Sequence, residues 1–438
     1  MSEASEQRAV FWYPPSYDIR VETAPIPRIQ EPDDAIVKIT LAGLCGSDLH
    51  TYRGHGEDTK PFICGHEFIG QVIALGSSFE TDAAGRPSLY STLRVGDKVV
   101  SPFTVSCGEC HFCRVGFTCR CVESRLFGTE MTPGGQAQYV RVPRAGGTLY
   151  SLSSPDFWGK PKPSPGRSSG VSYTDIADSS LLLLCDILPT GVFAAFQALH
   201  HPKVLPMVLT LPYPSSSLFG VTGEVAGVIT TPLRPEDAVL TLAIVGLGPV
   251  GLCACVSLVD MLAARKVPYR IVAIDLVEAR RQKARVMYDT IDRAERGEGE
   301  FVVASIEESK GIVEQWTQGV GCNAILEAVG NNSALALAYD LVRPFGHIVS
   351  VGVHGEPQMP FTGRQLYNKN VSFDFGRCPV RAMFPLAVDL LVRRQDVFGG
   401  VGEPASLIDR IVGFDEAVTS YDLFDKGKVG KVLFDPWK

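Results

Sequence analysis

Cys107, Cys110 and Cys113 are separated by two residues each, and Cys121 follows after seven. Thiolates this close together in sequence can converge on one small cation without a large core around them. Zinc prefers such a tetrahedral sulfur set, and four protein ligands leave no open position, so the site would be structural. Gly108 and Gly116 suit the turns this requires. A fifth cysteine, Cys119, lies inside the cluster and leaves the exact ligand choice open. An iron–sulfur centre and a set of free or disulfide-linked cysteines are the competing readings.

A second group of potential ligands is spread along the chain. Residues 43–50 read GLCGSDLH and residues 65–67 read GHE. Cys45 and His66 are suitable ligands, yet a buried thiol and a core histidine explain each of them equally well alone. Further on, Gly246, Gly248 and Gly251 form a GxGxxG pattern within VGLGPVG. An apolar run precedes it and a helix-like run follows, starting at Pro249 and Val250. In that context the first glycine permits a tight turn, the second lets a pyrophosphate approach the backbone, and the third permits close helix–strand packing. Asp275 ends the next strand candidate, where a carboxylate can accept from both adenosine ribose hydroxyls and repel a 2′-phosphate. This favours NAD over NADP. Arg280 and Arg281 temper that preference.

Elements must hold these groups in place. Up to about residue 150 the chain reads as short strands and turns, with runs at Ala35–Ala42, Phe68–Leu75, Val95–Val100 and Gln136–Val142. Helical character follows Asp186 through His200. From Ala238 the rhythm changes. Strand candidates at Leu240–Val245, Arg270–Ile274, Asn323–Glu327 and His347–Val351 alternate with helix candidates at Gly251–Arg265, up to Arg285, and around Asn332–Val342. Alternation of this kind predicts a parallel sheet. A last helix at Arg381–Arg393 and a late strand at Lys431–Phe434 close the chain. Segments 77–93, 151–172 and 201–237 read as polar or irregular insertions, the last with room for one short strand.

The ordered set GLCGSDLH, GHEFIG, the cysteine cluster, DILPTG and VGLGPVG resembles the zinc-containing medium-chain alcohol/polyol dehydrogenases over nearly the whole chain. The resemblance implies an α/β architecture: a GroES-like, mainly β catalytic domain plus a Rossmann domain with a doubly wound parallel sheet. It implies a catalytic domain at 1–190 with both zinc sites, an NAD-binding domain at 191–375, and a return segment at 376–438. It places Cys45 and His66 on a catalytic zinc, with Asp186 favoured over its neighbour Cys185 as third ligand and Glu67 beside the metal. Asp48 would orient the ligating imidazole. Ser47 would receive the substrate proton and pass it through the nicotinamide ribose to His50. Val351 and Val353 would contact the nicotinamide side, and Lys431 the pyrophosphate. Cofactors would be two zinc ions per subunit and NAD, and the assembly a homodimer or homotetramer. His55, His200, His201, His347 and His354 receive no catalytic role.

The net charge of −7 and the lack of a long Lys/Arg block speak against a nucleic-acid partner. No run reaches membrane-spanning length, and MSEASEQ lacks a basic region followed by an apolar one, so the expected location is cytoplasmic. The expected partner is a small alcohol or carbonyl compound. The alternatives are a biosynthetic carbonyl reductase of the same fold and, from another class, a nucleotide-binding sensor without turnover.

Overall fold

The computed structural model describes residues 5–56, 58–80, 93–153, 176–214, 216–217, 225–228 and 233–438. The expected insertions at 77–93 and 151–172 lie largely outside the described residues, as do 215, 218–224 and 229–232 of the one at 201–237. The chain forms two compact units, Met1–Pro189 with Cys378–Lys438, and Thr190–Arg377.

The first unit takes strands β1 (Glu6–Tyr13), β2 (Asp18–Pro25), β3 (Ala35–Leu44), β4 (Phe62–Ile63), β5 (Phe68–Leu75), β6 (Lys98–Ser101), β7 (Tyr139–Val142) and β8 (Tyr150–Ser151) from the N-terminal segment. The chain then supplies β9 (Leu240–Val245), β10 (Tyr269–Ile274), β11 (Gly299–Ala304), β12 (Cys322–Glu327), β13 (Val342–Ser350) and β14 (Ser372–Phe375) to the second unit. It returns to the first with β15 (Ile408–Gly413) and β16 (Lys431–Asp435).

In the first unit β3 is the organising strand. It pairs antiparallel with β5, β7 and β16, so the return segment is stitched to the N-terminal one. The sheet order is β15-β16-β3-β5-β6-β8, with β7 also on β3, and β2-β1-β4 forms a smaller sheet. Val37, Ile39, Phe68, Val72, Val99, Phe127 and Val140 fill one core, and Trp12, Leu44, Tyr52, Phe62, Phe414 and Phe434 fill another. The run Val95–Val100 is a turn entering a strand, as its VGDKVV pattern suggests: Gly96 turns with φ +98° and β6 begins at Lys98.

The second unit carries one parallel sheet in the order β11-β10-β9-β12-β13-β14. All six residues of β9 are buried, as expected for a strand covered on both faces. The chain moves outward from β9 through β10 and β11, then crosses to the other side of β9 for β12. That reversal is a topological switch point, where open α/β sheets take ligands outside the carboxyl ends of their strands. Register places Ile274, Val245, Glu327, Ser350 and Phe375 in one row across that end of the sheet.

Within 201–237 the described residues hold a short helix, Leu205–Val208, and the start of a 3₁₀ turn, Pro235–Ala238; the room for a short strand falls partly on residues outside the described ones. No single described helix is long and apolar enough to cross a membrane, and the apolar pair Asp178–Cys185 and Ile187–His200 is bent by 52°.

Candidate functional site

Four sulfur atoms, from Cys107, Cys110, Cys113 and Cys121, lie within 4.8 Å of one another. The 3.9 Å between the sulfurs of Cys110 and Cys121 is close to the ~3.8 Å edge of a tetrahedron with ~2.3 Å zinc–sulfur bonds. Backbone N–H groups point at these sulfurs: Cys110 N–H to Cys107 Sγ at 3.3 Å, and Cys107 N–H to Cys121 Sγ at 3.2 Å. Such donors favour thiolates. Burial pushes Cys113 up and Cys121 up to about 11, while at Cys110 backbone and cysteine donors outweigh burial and bring it down to about 6. Cys119 is buried in the 3₁₀ turn Thr118–Arg120 and stands outside the group. The donor set fits one structural zinc.

The second cluster joins Cys45, His66 and Asp186, whose ligand atoms also lie within 4.8 Å of one another. Cys45 Sγ is 3.7 Å and His66 Nε2 3.4 Å from Asp186 Oδ2. Cys45 directly follows β3, His66 precedes β5, and Asp186 sits where the chain bends before helix Ile187–His200. Its backbone angles, φ −148° and ψ −69°, belong to neither flanking helix, and the bend turns its carboxylate toward the cluster. The neighbouring Cys185 turns the other way. Its thiol donates to the Phe68 carbonyl at 3.2 Å, and burial pushes its pKa up. The group whose geometry could hold a metal ion therefore includes Asp186 and not Cys185.

Asp48 fastens two members of this group. One carboxylate oxygen accepts from Cys45 N–H at 2.9 Å, and the other lies 3.0 Å from His66 Nδ1. Nδ1–H is thereby committed, and Nε2 faces Asp186 and Cys45. Burial pulls His66 down, but Asp48, Asp186 and Cys45 outweigh it and hold the imidazole well above its ordinary value. This convergence of acceptors suits a cation. One thiolate, one imidazole and one carboxylate fit zinc with an open fourth position, the arrangement of catalytic sites. Ser47 precedes the short helix Asp48–Tyr52 and makes no capping bond, so its hydroxyl is available to His66 Nε2, 3.1 Å away. His50 lies one turn on, beside His55 at a ring separation of 6.4 Å.

Glu67 is fully buried, close enough to His66 and Asp186 for their charges to act on it, but is not one of the three clustered ligands, and one carboxylate oxygen lies on the Lys431 ammonium. Lys431 is itself fully buried in β16 and cannot serve as an exposed pyrophosphate contact. Burial pushes Glu67 up against the pull of Lys431, while Glu67 holds Lys431 up against its own burial. Gly43 is required beside this pair, since a Cβ there would come within 2.3 Å of Glu67 Oε2.

In the second unit, Gly246 adopts φ +96° and Gly251 packs so tightly that a Cβ would lie 1.8 Å from the Gly246 carbonyl. A Cβ on Gly248 would meet nothing within 4 Å, so this point of the turn is open to a ligand. Helix Pro249–Ala264 starts there without a side-chain cap, leaving Val250 and Gly251 N–H in its first turn. Asp275 accepts from Leu247 N–H at 2.7 Å and Val277 N–H at 2.8 Å, one on each oxygen. Each oxygen keeps a second lone pair. Arg280 stands 3.7 Å from Asp275, while Arg281 is tied to the Asp275 carbonyl and to Glu278. Val353 is 48% exposed, and Val351 lies half-buried at the end of β13.

Sequence reasoning missed a buried cluster at the ends of β12 and β13: Glu327, Ser350 and His354. Its signal was a lone acid in the apolar run AILEAVG.

Comparison with known proteins defines the class. Residues 31–152 match the alcohol dehydrogenase GroES-like domain, and residues 249–393 match the zinc-binding dehydrogenase domain. The chain is 34% identical over 437 residues to zinc-type alcohol dehydrogenase B of Aspergillus flavus, covering 99% of this chain and 82% of that one. It is 35% identical to the medium chain reductase/dehydrogenase ucsI of an Acremonium species, covering 83% and 99%. The alcohol dehydrogenase TADH from Thermus sp. ATN1 superposes with a TM-score of 0.69 at 26% identity, covering 98% and 99%. The chain belongs to the zinc-containing medium-chain dehydrogenase/reductase family and is an oxidoreductase of the zinc-type alcohol dehydrogenase kind.

Proposed function

We propose that the protein moves a hydride between a small alcohol and NAD, and in reverse between NADH and the matching aldehyde or ketone. The observation that carries this reading is the convergence of Cys45, His66 and Asp186, with Asp48 behind the imidazole and Ser47 in front of it. Zinc bound there would act as a Lewis acid on the substrate oxygen, and NAD would accept the hydride. The chain's own residues do the remaining work. Asp48 fixes the tautomer of His66 so that Nε2 is the ligating atom. The Ser47 hydroxyl takes the proton released by the alcohol and hands it on, because a hydroxyl relays charge without holding it. His50 is the terminal acceptor. Burial first, then Arg53 and His55, pull its pKa below the ordinary imidazole value, so it is neutral and ready near pH 7.

The turn at Gly246–Gly251 would hold the pyrophosphate, and the free lone pairs of Asp275 would accept from the adenosine ribose. That carboxylate repels a 2′-phosphate, which favours NAD over NADP. Arg280 is the nearby cation that would soften the preference. Cys107, Cys110, Cys113 and Cys121 would hold a second zinc, giving two per chain. Assembly as a homodimer or homotetramer, and action in the cytoplasm, belong to the same reading.

The test is NADH formation by zinc-replete protein across a panel of primary and secondary alcohols, with NADH consumption by aldehydes and ketones alongside. Turnover that requires zinc and prefers NAD is the expected result. Inactivity in both directions with both dinucleotides would remove the reading.

A further inference from the structure

The parallel sheet assigns the two halves of a dinucleotide to its two sides. With the pyrophosphate at the turn after β9 and the adenosine at Asp275 after β10, the nicotinamide half falls over the ends of β12 and β13. Two turns meet there, residues 327–330 and 350–354. They pack backbone to backbone: a Cβ on Gly330 would lie 2.5 Å from the backbone of Val353, and one on Gly352 would lie 2.2 Å from Gly330 N. The ladder joins their first residues, with Val351 N–H on the Glu327 carbonyl at 3.0 Å, and stops short of the Gly330–Val353 contact.

One buried carboxylate holds that contact. Glu327 Oε1 accepts from Val329 N–H and Gly330 N–H, both at 2.7 Å. Its Oε2 accepts from the Ser350 hydroxyl at 2.6 Å and lies 3.1 Å from His354 Nε2. His354 Nε2 is also 2.9 Å from Ser350 Oγ. The hydroxyl has one proton, given to Glu327, so Nε2–H is the donor on the histidine side. Glu327 and Ser350 are fully buried, His354 is 11% exposed in its side chain, and Phe375 backs its ring at 4.6 Å. Above this anchored backbone, Val329 and Val353 stand 43% and 48% exposed. Two exposed valines on a fixed backbone suit a flat apolar ring.

We infer that His354 is a positioning residue for the nicotinamide half of the dinucleotide, acting through Glu327 and Ser350 to hold turns 327–330 and 350–354 in register. The inference rests on the dinucleotide reading proposed above. His354 need not touch the cofactor. It closes a network that sets where Val329, Val351 and Val353 stand before the cofactor arrives, so less ordering is left to binding.

The test compares two ligands on the purified, metal-replete chain. NADH carries the nicotinamide half, and ADP-ribose lacks the ring. His354→Ala is expected to weaken NADH binding about tenfold and ADP-ribose binding less than about twofold, a loss of the size expected for a hydrogen bond to a charged group. His354→Gln, whose amide nitrogen can replace Nε2, is expected to keep NADH affinity near that of the unaltered chain. Thermal unfolding of the ligand-free variants checks that each is folded. Equal weakening for both ligands would make the role merely structural and overturn the inference. So would unchanged NADH affinity in His354→Ala. If the unaltered chain bound neither NADH nor NADPH, the functional reading itself would fall, and this inference with it.

Discussion

Ser47 is the residue on which the proposed proton path turns. Its hydroxyl stands at His66 Nε2 and caps nothing, so removing it leaves the local helix intact. Ser47→Ala is expected to lower turnover by roughly 10²-fold or more, the usual scale for losing a positioned proton-transfer group, with dinucleotide affinity nearly unchanged. Steady-state kinetics beside direct NADH binding separate these quantities. His50 gives the path its pH dependence. The neutral imidazole accepts the proton, so oxidation runs fully above its pKa and falls below it. Because burial with Arg53 and His55 depresses that pKa, the acid limb belongs below about 6.5. His50→Gln removes the limb. A limb that survives in that variant assigns the titration to another group.

At the scale of elements, two ligand groups hang from different devices. The sulfur cluster is a loop that folds around its own ligands. Cys110→Ser is expected to release about one zinc per chain and to lower the unfolding temperature, both read on the same sample by metal analysis and calorimetry. The second group depends on the 52° bend between helices Asp178–Cys185 and Ile187–His200. Asp186→Asn is expected to lose the other zinc and at least about 10²-fold in turnover, whereas Cys185→Ser keeps both, since that thiol faces the Phe68 carbonyl. Zinc retained by Asp186→Asn and lost by Cys185→Ser would reverse the ligand assignment.

The same elements explain what could be read from the sequence. Period and punctuation were enough for β5, β9 and helix Asn332–Leu341, because a glycine follows each strand and Asn331 caps the start of the helix. The cysteine spacing showed one ligand group directly, since all four lie on one short loop. β11 and helix Ile306–Thr317 escaped notice, because an edge strand such as GEFVVA is only half-buried and carries no clear alternation. The helix did carry a capping box, Ser305 with Glu308, which sequence could have revealed. The Glu327–His354 cluster was illegible for a different reason. Its members are 27 residues apart, and only the parallel register of β12 with β13 brings them together.

On the scale of the whole chain, the excursion from Thr190 to Arg377 interrupts one unit, and Cys378–Lys438 must come back to complete it. β16 makes that return by pairing with β3, and Lys431 at its start drives an ammonium onto Glu67 in the core. Both side chains are fully buried, so each charge has lost its water and has the other as its main compensation. Lys431→Ala is expected to strand the carboxylate and destabilise the first unit by about 3–5 kcal/mol, the usual penalty for breaking a buried pair from one side. At roughly 2–4 °C per kcal/mol for a unit of this size, the unfolding temperature should fall by about 10 °C. Replacing both partners by Met removes the charges together, keeps the volume, and is expected to recover most of the loss. Calorimetry on the single and double variants decides the matter. A double variant as unstable as Lys431→Ala would mean that packing around the lysine stem, and not the charge, closes the chain.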